Sequence, residues 1–324
     1  MNKNKFSYLI DKSNDDGRLD LIDKFLESKW EKEVIDFQNL QILEKKITNA
    51  DAIITMSWDY KLNYGNNLKL IQLPGAGVDE INFNCIPKNI TVCNVYEHEI
   101  PISEFVLTGM LNWVSKFIEI DKNLKKGNWF GSFLFGPRHN ELYGKTIGII
   151  GYGKIGKEVW KRCKSFGMKL FACNKSKKKI DDINFTKPMR DIEKLYKVSD
   201  FILLSLPLND DTKHLVNLSS FELMKKNAFL INVSRGKIIN EGDLYMALSK
   251  KIIGGALIDT WNKYPTNNAD VFYPSELKFH QLDNLYMSSH ASAWTEQLKP
   301  RRNKIIASNL NRLANGKKLL NVVT

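Results

Sequence analysis

Cysteine is scarce in this chain, and so is anything that would anchor it in a lipid bilayer. Its four cysteines, Cys85, Cys93, Cys163 and Cys173, have no metal-ligand spacing and sit in apolar or helical contexts. That excludes a disulfide scaffold and a zinc module, predicts no metal site, and implies a reducing compartment. No stretch approaches the roughly 18 uncharged apolar residues that a membrane-spanning helix needs. The amino-terminal MNKNKFSYLIDKSNDDGR lacks the apolar core and small-residue cleavage site of a signal peptide. There is no repeat period and no low-complexity segment. Acidic residues are outnumbered, 36 Asp and Glu against 48 Lys and Arg, for a net charge of +12. The lysines are scattered, apart from the run Lys175 to Lys179, which disfavours a dedicated nucleic-acid binder. A surplus of this kind suits an anionic small molecule. The expectation is a soluble, cytoplasmic protein with neither nucleic-acid nor membrane partners.

What the chain does have is length and apolar residues enough for two domains, with 324 residues of which 43% are hydrophobic. Short apolar runs (Phe6 to Ile10, Ala52 to Met56, Leu70 to Leu73) alternate with helix-like spacing at Leu19 to Ser28 and Leu40 to Ile47. A long helical pattern covers Ile102 to Leu124, and a second strand–helix series starts at Lys145 and ends in a helical pattern over Glu296 to Ala314. Such alternation predicts an α/β protein of two doubly wound parallel-sheet domains, with a cleft between them for cofactor and substrate.

The sharpest local motif is Gly151-Tyr152-Gly153-Lys154-Ile155-Gly156. It follows the strand TIGII directly and opens the helix KEVWKRCKSF. In that context Gly151 permits the tight turn, Gly153 lets the backbone approach a pyrophosphate, and Gly156 allows close helix–strand packing. The N–H groups of the helix start, at Lys154 and Ile155, then face the phosphates. The motif predicts a bound dinucleotide. The end of the next strand bears on which one: where an NAD site usually places Asp or Glu, this chain has Asn174, followed by Lys175, Ser176 and Lys177 to Lys179. Asn does not repel a 2′-phosphate, and Ser with several ammonium groups suits one. The expectation is NADP(H), with NAD(H) as the lesser partner.

Further on come Leu206-Pro207-Leu208 with Thr212, then LINVSRGKIINEGDLYMAL, GGALIDTW and Ser289-His290. Taken in order with the glycine motif and the earlier LPGAGVD turn, these resemble the D-isomer-specific 2-hydroxyacid dehydrogenases over nearly the whole chain. The resemblance implies two Rossmann-like domains: residues 1–98 and 294–324 for substrate, and 99–293 for the dinucleotide. It implies a homodimer joined through the helix that begins at Ile102. It also adds Pro207, Thr212, Val233 and Asp259 to the cofactor-binding residues, the last against the nicotinamide amide or, alternatively, as a turn-capping carboxylate.

Reduction of a 2-oxo acid places hydride on the keto carbon while negative charge grows on the carbonyl oxygen, so the reaction needs a fixed cation and a proton donor. The resemblance gives these roles to Arg235 and His290, and gives the carboxylate to the backbone amides of Ala76 and Gly77. Trp58 is a candidate pocket wall, with core packing the alternative. The chain departs from the family at Ser289 and at Ala291 to Ala293, and above all at Tyr264, which precedes Pro265 where a Glu normally pairs with the histidine. A phenol brings no negative charge at neutral pH, so His290 is expected to be less basic than in Glu-containing relatives. The function implied is NADP(H)-dependent reduction of a small anionic 2-oxo acid, of the glyoxylate or hydroxypyruvate kind, to the D-2-hydroxy acid. The alternative is a dinucleotide-sensing binding protein of the same fold with little or no dehydrogenase activity.

Overall fold

The computed structural model describes residues 6–134, 136–176, 187–266 and 271–323. It divides into two compact units: the chain up to Glu97 together with the chain from Thr295, and the continuous stretch His98–Trp294.

The first unit holds a five-stranded sheet in which every pairing is parallel. Its strands are β1 (Phe6–Asp11), β2 (Trp30–Ile35), β3 (Ala52–Ile54), β4 (Leu70–Gln72) and β5 (Thr91–Cys93), in the order β2-β1-β3-β4-β5. Helices α1 (Arg18–Asp23) and α2 (Leu40–Ile47) form two of the crossovers. Every residue of β3 and β4 is buried, as a strand covered on both faces requires. The edge strand β2 differs, exposing Glu31, Lys32 and Glu33. These charges blunt the sheet edge against pairing with other chains.

The second unit begins with α3 (Glu99–Ser115) and α4 (Phe117–Leu124), where the spacing suggests one continuous helix. The break falls at Lys116, whose φ of +57° ends α3 while its N–H still bonds the Asn112 carbonyl. There follow β6 (Thr146–Ile150), α5 (Lys154–Ser165), β7 (Lys169–Asn174), β8 (Lys187–Pro188), α6 (Ile192–Val198) and β9 (Phe201–Leu204). Then come α7 (Leu218–Leu223), β10 (Phe229–Asn232), α8 (Glu241–Ser249), β11 (Gly255–Ile258) and β12 (Leu285–Met287). The strand order β12-β11-β10-β9-β6-β7-β8 reverses direction between β6 and β9. Open parallel sheets bind ligands at such a switch point, beyond the carboxyl ends of the strands. Both faces of the sheet are covered. Phe229 and Ile231 of β10 enter one apolar cluster, with Met110 and Val159, while Leu230 between them enters another, with Phe221 and Phe279.

The last helix, α9 (Leu298–Ala314), returns to the first unit and is tied there by buried asparagines. Asn309 donates to Gln72 Oε1 at 2.7 Å and accepts from the Leu320 N–H, while Asn311 donates to the Phe25 carbonyl and accepts from the Glu27 N–H. Among the described residues, no helix is long and apolar enough to cross a membrane.

Candidate active site

The turn after β6 is shaped by where a side chain can and cannot fit. Gly151 has φ +92°, and a Cβ there would lie 2.5 Å from the Ser205 carbonyl oxygen. At Gly156 a Cβ would lie 2.9 Å from the Gly151 carbonyl. At Gly153, the residue that caps α5, a Cβ would meet nothing within 4 Å. Two glycines are therefore needed by the fold and the middle one faces open space. The N–H groups of Ile155 and Gly156 have no acceptor among the described residues. Open space beside free N–H groups at the start of a 12-residue helix fits a pyrophosphate. Ser205, at the end of β9, donates to the Gly151 carbonyl at 2.8 Å and fixes the turn from the neighbouring strand. No motif in the sequence points to it.

At the end of β7, Asn174 Nδ2 donates to the Ser176 carbonyl at 3.1 Å, folding the start of the basic run over the strand end. Lys175 reaches Asp211 at 3.2 Å, with both side chains largely exposed. The remaining lysines of that run, Lys177 to Lys179, lie outside the described residues. Thr212 works within its own loop. Its hydroxyl donates to the Pro207 carbonyl at 2.7 Å and accepts from the Asn209 N–H at 2.8 Å. Pro207 is exposed and Val233 is buried in the core, so of the two only Pro207 presents a surface.

Arg235 and His290 follow β10 and β12, on loops at the carboxyl ends of strands in one sheet. Asn232, the fully buried last residue of β10, accepts from the N–H and hydroxyl of Ser234 and donates to the Arg235 carbonyl at 2.9 Å. Arg235 Nη1 donates to the Ser234 carbonyl at 2.8 Å, so part of the guanidinium is already held. A Cβ on Gly236 would sit 2.5 Å from the Trp261 backbone, so only glycine lets the Arg235 loop press against the loop after β11.

That second loop carries Asp259, whose carboxylate is wholly buried. It accepts from Ser288 Oγ at 2.6 Å, from the N–H groups of Ala291 and Ser292, and from Ser292 Oγ. Three of these donors share Oδ1, and Oδ2 takes only the Ser292 hydroxyl, so Oδ2 keeps a further lone pair. Asp259 is thus the cap of the turn that presents His290. The Trp261 indole N–H adds a bond to the Ser288 carbonyl at 2.8 Å. His290 itself has φ +64°, a left-handed conformation that costs a non-glycine residue roughly 1–2 kcal/mol and that this network sustains.

The imidazole keeps an exposed edge, yet its pKa lies below the ordinary 6.5. Partial burial is the largest cause; Asp259 pulls the other way, and the Arg235 charge lowers it further. Tyr264 lies beside the ring, centroids 5.6 Å apart and planes tilted by 43°. Its hydroxyl, however, accepts from the Trp261 N–H at 3.1 Å and makes no hydrogen bond to His290. The phenol therefore packs against the imidazole without taking over the hydrogen-bonding role of the family Glu.

In the first unit, the LPGAGVD turn follows β4. Asn94 holds the Ala76 carbonyl at 2.8 Å, while the N–H groups of Ala76 and Gly77 have no acceptor among the described residues. Trp58, a candidate pocket wall, is a correction. It is fully buried among Phe37, Tyr60 and Tyr64, with its indole N–H bonded to the Tyr64 hydroxyl at 3.0 Å. It belongs to the core and presents no surface to a substrate. Among the described residues, no group of three or more His, Cys, Asp or Glu has the arrangement of a metal site.

A parallel sheet with a glycine turn at its switch point, and an arginine and a histidine on loops at the same edge, defines a dinucleotide-dependent α/β dehydrogenase. Comparison with known proteins makes this specific. The sequence model of "D-isomer specific 2-hydroxyacid dehydrogenase, NAD binding domain" matches residues 107–292. The chain is 32% identical over 307 residues to the D-3-phosphoglycerate dehydrogenase of Methanocaldococcus jannaschii, over 93% of this chain and 56% of that protein, so it spans little more than half of that relative. It is 30% identical over 297 residues to the glyoxylate reductase of Aeropyrum pernix, covering 87% and 85% of the two chains. A crystal structure of a D-isomer specific 2-hydroxyacid dehydrogenase family protein from Aeromonas salmonicida superposes with a TM-score of 0.80 at 25% identity, over 99% of each chain. The chain belongs to the D-isomer specific 2-hydroxyacid dehydrogenase family, whose cofactor is a nicotinamide dinucleotide.

Proposed function

We propose that the protein reduces a small 2-oxo acid, of the glyoxylate or hydroxypyruvate kind, to the D-2-hydroxy acid and prefers NADPH to NADH. The observation that carries this reading is the pair Arg235 and His290, on loops built to hold them, with the guanidinium near enough to depress the imidazole pKa. In this reading residues 99–293 bind the dinucleotide, and residues 1–98 with 294–324 bind the substrate.

Arg235 takes the substrate carboxylate and carbonyl oxygen, polarising the carbonyl. His290, as imidazolium, gives its proton to that oxygen as the new C–H bond forms, and takes it back in the reverse direction. The free N–H groups of Ala76 and Gly77 hold the substrate carboxylate. The turn from Gly151 to Gly156, with Pro207 and Thr212 at its rim, holds the dinucleotide, which supplies the hydride when bound. Asn174 brings no carboxylate to oppose a 2′-phosphate. The exposed Lys175–Asp211 pair, worth about 0–1 kcal/mol, yields readily to a phosphate beside Ser176.

Six strongly exposed apolar side chains on α4 and the loop after it, Phe117, Ile118, Leu124, Trp129, Phe133 and Leu134, fit a second copy of the chain as their cover. Four buried, unpaired cysteines fit a reducing cytoplasm. Light scattering that gives a dimer mass supports the first of these assignments, and a monomer removes it.

Initial rates of NADPH and NADH oxidation with glyoxylate, hydroxypyruvate, pyruvate and phenylpyruvate test the whole reading. Turnover that is faster with NADPH supports it. Cofactor binding without reduction of any of these acids instead supports a dinucleotide-sensing protein, the reading favoured by the missing carboxylate at Tyr264.

A further inference from the structure

We infer a second anion site at the opposite edge of the seven-stranded sheet, suited to a small organic phosphate with an apolar or aromatic body. A cavity of about 450 Å³ lies there, at the amino ends of β6, β9, β10 and β11, within the size range of small-molecule sites. Lys116, Lys145, Lys226 and Lys251 all line it. None of the four forms an ion pair among the described residues; Lys116 rests over the Trp113 ring, 4.4 Å from its centroid. The one carboxylate in the wall, Asp200, is already committed, to Lys225 at 2.8 Å and to the Thr146 N–H at 2.8 Å.

Four uncompensated ammonium groups around one concavity repel one another, and a dianion removes that repulsion. Complementing helix dipoles explains Lys116 and Lys251, which follow α3 and α8, but not Lys145 at the start of β6 or Lys226 before β10. Lys116 and Lys251 also hold φ values of +57° and +53°, where glycine is the less strained choice for ending a helix. The side-chain amides of Asn140 and Asn227, also in the wall, are without partners among the described residues and offer further donors. Phe201 and Ile253 give the cavity an apolar side. Lysines without an arginine fork favour phosphate, met as a compact multiple charge, over the planar geometry of a carboxylate. This site is independent of the reaction proposed above and uses none of its residues.

The test is calorimetric titration of phenyl phosphate into the full chain, at about 0.15 M salt so that surface charges are screened, with cofactor present to occupy the glycine turn. One saturable site per chain is expected, binding phenyl phosphate more tightly than inorganic phosphate. The double variant Lys226→Glu/Lys251→Glu, at exposed positions, should weaken it by about tenfold or more while leaving cofactor affinity unchanged. A charge-matched control, Lys317→Glu/Lys318→Glu, should bind as the wild type does. Absence of saturable binding, equal affinity for the two phosphates, or equal weakening in both double variants would overturn the inference.

Discussion

Asp259 and Ser292 share the tightest part of the turn beneath His290: the Ser292 hydroxyl donates to one carboxylate oxygen while its N–H reaches the other at 3.2 Å. A buried carboxylate that gathers donors from three residues of a single turn is a positioning group for that turn. Asp259→Asn replaces an acceptor-only carboxylate by an amide with one oxygen, leaving an N–H₂ facing other donors. The expected result is a large loss of kcat and lower stability in urea, with cofactor Kd changed little. Ser292→Ala should cost about 1–3 kcal/mol of stability by the same measurement. If cofactor Kd is the quantity that collapses in Asp259→Asn, the positioning role is wrong.

The pH profile of reduction follows from His290. The imidazolium is the proton donor, so kcat/KM is full below its pKa and falls as pH rises through it. Because burial and Arg235 hold that pKa below 6.5, the decline should begin in mildly acid solution. Tyr264→Phe should leave the descending limb in place, since the hydroxyl bonds a backbone N–H and not the ring. Tyr264→Glu should move it to higher pH by about one unit. An unchanged limb in Tyr264→Glu counts against His290 as the group being titrated.

Arg235→Gln removes the fixed cation and should lower kcat/KM by about 10²- to 10³-fold. It should also shift the descending limb upward, because a charge that depresses His290 is gone. Arg235→Lys should recover little, since an ammonium cannot span carboxylate and carbonyl together. Steady-state rates across pH measure both effects, and a limb that stays put breaks the electrostatic link between the two residues.

Two roles in the glycine turn separate cleanly. Gly151→Ala forces a Cβ to within 2.5 Å of the Ser205 carbonyl at φ +92° and should destabilise the fold. Gly153→Ala meets nothing in the protein, so its melting temperature should match the wild type while cofactor Kd rises. Thermal melts beside cofactor titrations decide this; normal cofactor affinity in Gly153→Ala would place the pyrophosphate elsewhere.

Lys175→Asp places a negative charge where a 2′-phosphate is expected. The ratio of KM for NADPH to KM for NADH should rise, and an unchanged ratio removes Lys175 from cofactor selection.

Much of the second unit was legible because its strands are continuous apolar runs ending in residues with a special backbone need, as at Gly151 and Gly236. What stayed hidden is instructive. The edge strand β2 reads as charged because its residues from Glu31 to Val34 are exposed on both faces, and a helical pattern over Leu19 to Ser28 shrank to the six residues of α1. Lys116 breaks α3 from α4 through a backbone conformation that its side chain does not announce. At the site, residue types revealed Arg235 and His290, whereas Asn232, Ser205 and Ser292 act through contacts across 3 to 54 residues of sequence. The roles of Asp259 and Trp58 turned on burial. Nothing in a linear pattern separates a carboxylate that meets a cofactor from one that caps a turn.

The return of α9 to the first unit has a consequence for synthesis. The second unit is one uninterrupted stretch, so all of its strands can pair while later codons are still being read. The first unit keeps Gln72, the Phe25 carbonyl and the Glu27 N–H waiting for Asn309 and Asn311, which emerge some 200 or more residues later. The part of the protein made first is thus the part completed last. A ribosome that stalls near residue 295 leaves β4 and α1 without the partners that close their core, a nascent state in which a chaperone has the most to cover.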